Sequence, residues 1–422
     1  MKTTYLLLCL LGIGSVSGAG QTKQPQKIGD FIESTSYNEH RRNATRSLQY
    51  TPDGDDFVCI NGKNRFTRAL YGSHTAFRLE TSDRPVFAAY TKENPKHICF
   101  KLQTSGGTVA LDSTEHCESR YTAGRRSYSL SDPAFGGGSL SITTWALPDK
   151  EGAIWQFNAR NFKEFHPVLL ASISEIRNSK LNRNGDMGAD PADSFEAPLQ
   201  PQQLQSFPVQ IDGTLYILLE NQELRTLTTA EGENLFKKAE AARSETASRI
   251  RIETPDPYFN TLGGTLAMAA DGIWDGEVWL HGAIGWRMPL SGWRAAYTGD
   301  VLGWHDRART HFNAYAASQV TEVPNTFPHP AQDSALHLAR SVKKWGTPQY
   351  SNGYICRNPH RNNQMHHYDM NLCYIDELLW HFKWTGDLDY VRQMWPVITR
   401  HLTWEKLNYD PDNDGLYDAY AC

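Results

Sequence analysis

The chain has 422 residues, a formal net charge of −5, 12 tryptophans and 32 glycines. That length accommodates two domains, and the mildly acidic balance, with no long basic run, excludes nucleic acid as a natural partner. Beyond the N-terminus no stretch is apolar enough to span a bilayer, which takes about 20 consecutive apolar residues, so no membrane span is expected.

The first residues carry an address. Lys2 precedes an apolar run from Tyr5 to Val16, and the small residues Ser17, Gly18, Ala19 and Gly20 follow. This charged start, short apolar core and small-residue cleavage site predict a signal peptide over 1–19, and with it a periplasmic or secreted protein. Residues 20–50 are polar and patternless, a flexible tether. From Phe57 short apolar runs recur between Gly, Pro, Asn and Asp: Phe57–Ile60, Val86–Tyr90, Ile98–Leu102, Thr108–Leu111, Ser139–Trp145 and Ala153–Phe157. Phe207–Ile211 and Thr214–Leu219 resume the pattern after a long loop from Asn182 to Gln205. Short strands without helical runs predict a β-sandwich over 51–225. The period then changes. A helix capped by Thr229, with Glu231 and Glu233 early, predicts a linker helix within 226–255. Helices are expected at 257–270, 304–319, 331–344, 368–385 and 388–408, with Pro396 kinking the last, and no strand signal follows residue 255.

Of seven cysteines, Cys9 lies in the leader; the others are Cys59, Cys99, Cys117, Cys356, Cys373 and Cys422. They are widely spaced without a Cys-x-x-Cys pair, so neither a zinc site nor any other metal or cofactor is expected. Cys99 and Cys117 are the nearest pair in the β-rich part and the candidate bridge.

The densest polar signal runs from Asp271 to Arg294. It holds Asp275 and Glu277, His281, Arg287 and Arg294, and four tryptophans, Trp274, Trp279, Trp286 and Trp293. Cleaving a glycosidic bond needs a carboxylic acid to protonate the leaving oxygen and a second carboxylate for water or the anomeric carbon. An acid beside tryptophan is desolvated and stays protonated near neutral pH. Glu277 is the expected acid and Asp275 its competitor; Trp274, His281, Trp286, Arg287, Trp293 and Arg294 are expected to bind substrate. The alternative is a structural loop whose carboxylates pair with the two arginines. A second cluster, His360 to Asn371, adds His366, His367 and Asp369 as candidate sugar ligands. A third, Asp410, Asp412 and Asp414 before Gly415, resembles half of a calcium loop but lacks the closing glutamate, so a tight turn is the favoured reading.

The order of parts resembles the six-hairpin glycosidase superfamily. Thr254-Pro-Asp256-Pro257 opening a helix, and Trp384-Thr-Gly386-Asp387 followed by Trp395-Pro396, are the segments that carry the likeness, with Phe66–Gly72 adding a likeness to exported six-hairpin proteins of polysaccharide-degrading bacteria. The resemblance implies a multidomain β + α chain, an N-terminal β-sandwich followed by a partial (α/α)6 toroid over 256–422. It implies an inverting glycoside hydrolase acting on an oligo- or polysaccharide. Asp275 and Glu277 occupy a position similar to the family's early general acid, although Trp-Asp-Gly-Glu stands where the family has an Arg-Asp-Glu-Arg type segment. A full toroid takes more chain than follows residue 257, so a truncated toroid without its second catalytic carboxylate is expected. The alternatives are a polysaccharide lyase, for which His366, His367, Tyr368 and Arg361 supply the residue types, and a non-catalytic glycan-binding protein. The oligomeric state is open.

Overall fold

The computed structural model describes residues 50–63, 68–91, 95–162, 166–176, 204–210, 212–283, 287–292, 295–322, 331–333, 338–340, 352–361, 369–410 and 412–417. Among the described residues fifteen strands precede the first α-helix, and all pair antiparallel. One sheet has eight strands. It runs through β1 (Thr51–Asp53), β2 (Asp56–Ile60), β8 (His116–Thr122), β9 (Arg125–Ser131), β10 (Ser139–Ala146), β11 (Gly152–Arg160), β14 (Thr214–Glu220) and β15 (Glu223–Leu227). The other has seven: β13 (Leu204–Pro208), β12 (Val168–Glu175), β6 (Lys96–Thr104), β5 (Val86–Tyr90), β4 (Arg78–Thr81) and β3 (Arg68–Tyr71), with β7 (Gly107–Ala110) beside β6.

Strand alternation puts one face of each sheet inward. Phe87 and Phe100 from one sheet meet Trp155 and Phe157 from the other edge-on, with ring centroids 5.0–5.8 Å apart. The 19-residue helix α1 (Thr229–Ala247) covers the outer face of the eight-stranded sheet. Its Leu235, Phe236 and Ala239 pack on Trp145, Ile154, Tyr216 and Leu218. Gly232 is required there, because a Cβ would run into the Tyr216 ring. The cap is Thr228, one residue earlier than expected, in a reciprocal box with Glu231. Cys99 and Cys117 are both free thiols in different sheets, Cys117 in the core and Cys99 against the opposite face, so they do not form a bridge.

The expected partial (α/α)6 toroid is not present. The described residues are mostly antiparallel sheet, and the helices after residue 257 are an irregular set: α2 (Pro257–Asn260), α3 (Leu262–Gly272), α4 (Tyr297–Val301), α5 (His305–Ala317), α6 (Asp369–Thr385) and α7 (Leu388–Tyr409). Two physical reasons account for the misreading. The apolar spacing of these segments fits any helix with one buried stripe, whether that stripe faces a ring of hairpins or one mixed core. The expected helix over 331–344 also contains extended backbone instead, β16 (Ala331–Asp333) paired with β17 (Leu338–Arg340). Isolated bridges Trp274–Trp279, Leu280–Pro289 and Gln319–Ile355 add further extended pairing where no strand was expected. Among the described residues α6 and α7 keep a hairpin form, turned at Gly386, whose φ is +64°. No helix among the described residues is long and apolar enough to cross a membrane. The leader, and the tether as far as residue 49, lie outside the described residues.

Candidate functional site

The connector from α3 to α4 is pinned from three sides. His311 on α5 is fully enclosed and accepts the Trp279 backbone N–H at Nδ1, 3.1 Å away, while its Nε2 lies 3.3 Å from the Ser291 carbonyl. Burial drives its pKa down to about 3, with the Ser291 contact opposing the shift, so the ring is a neutral strut. Arg287 is buried and donates to the Gly272 carbonyl at 3.0 Å and to the Thr75 carbonyl of the β3–β4 loop. Burial lowers its pKa, and the Asp275 charge opposes that. Gly292 lies so close to α6 that a Cβ would strike the Tyr374 nitrogen and the Met370 carbonyl.

Several expected substrate residues therefore have structural work. Trp274 and Trp279 are buried and tilt against each other, 4.8 Å apart. They belong to the core of the helical layer rather than to a sugar platform. Arg287 ties that layer to the sheets. His281 is half-buried, and its backbone N–H bonds to the Met288 carbonyl at 3.0 Å. Trp286, Trp293, Arg294, His366 and His367 lie outside the described residues. Asp369 begins α6, and its side chain is not among those described.

The two carboxylates differ. Asp275 is exposed, and its Oδ1 accepts the backbone N–H of Glu277 at 3.0 Å and of Val278 at 2.8 Å, closing a turn at Gly276 with φ +100°. Those bonds fix the direction of the carboxylate. Glu277 keeps 42 % of its side-chain surface exposed, and its Oε2 lies 2.7 Å from His360 Nε2. It is thus wet and in contact with an imidazole, not enclosed by tryptophan as expected from its neighbours in sequence. The contact joins the acidic connector to the second polar cluster, which sequence alone left apart. Beneath them Tyr315 of α5 is wholly buried, and its hydroxyl has no hydrogen-bond partner among the described residues. Burial first, then the Asp275, Glu377 and Glu277 carboxylates, push its pKa far up, with Arg357 opposing. Tyr315, Arg357 and Glu377 carry no local sequence signal, since each is one residue in an ordinary segment.

A second polar group sits where the sheets meet the helical layer. Asp271, 7 % exposed, accepts from Arg307 at 2.7 Å and lies 3.1 Å from His74 Nε2. Burial alone would raise its pKa, but His74 and Arg307 outweigh that and hold it below the usual range. His74 has left-handed backbone, φ +56°, a conformation non-glycine residues rarely adopt. The adjoining cavity is about 160 Å³, below the roughly 300–1,000 Å³ of ligand pockets, so it suits water rather than a sugar chain. A larger groove of about 590 Å³ between the β1–β2 hairpin and the end of α1 has no aromatic ring in its lining. Asp410, Asp412 and Asp414 converge, but Asp410 and Asp414 each accept a backbone N–H, from Gly415 and Leu416, as a turn requires.

Residues 95–249 match a family described as a domain of unknown function, DUF4450. The matched segment runs from β6 through α1, so it takes in strands of both sheets and the covering helix but neither Glu277 nor His360. A search of curated proteins finds no match.

Proposed function

We propose that the chain is a glycoside hydrolase acting on an oligo- or polysaccharide, with Glu277 as its proton-transferring group. The observation supporting this reading is the Glu277–His360 contact, which unites two polar connectors in an accessible acid–imidazole pair at the end of a rigid layer. Loops on a fixed scaffold are where such chemistry concentrates. Glu277 donates a proton to the glycosidic oxygen as the bond to the anomeric carbon breaks. His360, more exposed than Glu277, returns a proton to it from solvent. Asp275, its direction set by two backbone N–H groups, is the carboxylate that orients the attacking water. Water's hydroxyl ends on the anomeric carbon and its second proton on Asp275. Export, expected from the leader, would place the enzyme with its polymeric substrate.

The test is reducing-sugar release from a panel of glycans by the chain and its Glu277→Gln variant, with binding followed in parallel. We expect turnover to fall by about a hundredfold or more, the scale of general acid–base catalysis, while binding persists. Equal rates for the two proteins reject Glu277, and binding without product from the unaltered chain rejects hydrolysis.

A further inference from the structure

Three elements of the helical layer bring two imidazoles and a carboxylate to one point. Asp300 lies on α4, His305 opens α5, and His381 lies on α6. His305 Nδ1 is 2.7 Å from Asp300 Oδ1, and His381 Nδ1 is 2.9 and 3.0 Å from the two Asp300 oxygens. All three donor atoms lie within 4.8 Å of one another. Asp300 is 4 % exposed and His381 fully buried. Among the described residues the Asp300 carboxylate pairs with these two imidazoles and with no lysine or arginine. A buried carboxylate needs hydrogen bonds or a compensating charge. Here two imidazoles converge on it and leave room for a cation held between the three groups.

The structure assigns this cluster as a binding site for a divalent transition metal of the zinc class, held by Asp300, His305 and His381. Imidazole nitrogens with one carboxylate select zinc, iron, cobalt or nickel over magnesium and calcium, which prefer all-oxygen shells. Tetrahedral metal–ligand bonds of about 2.0–2.2 Å place neighbouring donors about 3.3–3.6 Å apart, so the Asp300–imidazole spacings of 2.7–3.0 Å need to open by a few tenths of an ångström. The His305 side chain is 45 % exposed, which gives the ion a route in and leaves its outer coordination positions to water. His381 is fixed by its neighbours: the ring lies 5.4 Å from Phe312 and 5.5 Å from Tyr390. Its Nε2 has no hydrogen-bond partner among the described residues, so Nδ1 is the nitrogen engaged. This assignment is independent of any sugar chemistry at Glu277.

The experiment uses the full chain freed of metal by chelation and dialysis. Cobalt(II) is titrated in and followed by its visible d–d absorbance, then displaced with zinc. We expect one equivalent per chain. His305→Ala, at a half-exposed position, should weaken binding by more than about tenfold, with an unchanged circular dichroism spectrum. Asp300→Asn should do the same, and His360→Ala should bind as the unaltered chain does. Unaltered cobalt affinity in His305→Ala overturns the site. So does the absence of stoichiometric binding to the unaltered chain, which would make the cluster a proton-balanced ion pair.

Discussion

Asp271→Asn is the most informative single change, because this carboxylate joins three parts of the molecule. It pairs with Arg307 of α5 at 2.7 Å and meets His74 of the β3–β4 loop at 3.1 Å. Asparagine preserves the shape and removes the charge. Arg307 would stay between the Trp304 and Trp274 rings, 4.3 and 5.6 Å from their centroids, without its counter-charge. Breaking a fully buried pair costs about 3–5 kcal/mol. The Arg307 side chain is 25 % exposed, so water recovers part of that, and we expect about 2–3 kcal/mol. The pH dependence follows from the depressed pKa. The pair's contribution is fully present above the unfolded carboxyl value of about 3.9. It is lost as pH falls through the lower folded value, so the two proteins converge in acid. Urea unfolding of the unaltered chain, Asp271→Asn, Arg307→Met and the double variant at pH 6 and pH 3 measures both the loss and the coupling. A loss under about 0.5 kcal/mol at pH 6, smaller than typical non-additivity between contacting residues, would refute the reasoning, as would a gap that does not narrow from pH 6 to pH 3.

His311, with its pKa held near 3 by burial, is expected to make the protein acid-labile. Its contribution is complete above the unfolded value of about 6.5 and declines by about 1.4 kcal/mol per pH unit from there toward 3; His311→Gln should flatten that slope in denaturant titrations across pH 4–6. Gly232→Val should push α1 off the Tyr216 ring and cost about 1–3 kcal/mol or more as overpacking, read as a lower unfolding midpoint and faster proteolysis within α1.

Local alternation made many strands legible. Val86–Tyr90 is β5 residue for residue, and Ser139–Trp145 falls one residue short of β10. β8 and β9 escaped notice because their buried positions include Ser119 and Arg126, polar residues that break the apolar rhythm. Helices α5, α6 and α7 were readable from their period, but their assembly was not, since a buried stripe does not say what buries it. The tryptophans of the connector misled for a related reason. Their crowding pointed to a sugar platform, whereas Trp274 and Trp279 fill the core and leave Glu277 to solvent and His360. The pairings that organise the molecule, His74 with Asp271 and Glu277 with His360, are distant in sequence and leave no local trace.

The Arg287 anchorage has a bearing on how the protein is made. Its two carbonyl partners are Gly272, close along the chain, and Thr75, which is 212 residues away; the neighbouring His74–Asp271 contact spans 197. Closing loops of that size comes with an entropic cost that local contacts do not carry. During synthesis the sheets emerge first and present a finished Thr75 carbonyl, and only then does the acidic connector acquire the template on which it sets. A polypeptide beginning at residue 251 would be born without that template.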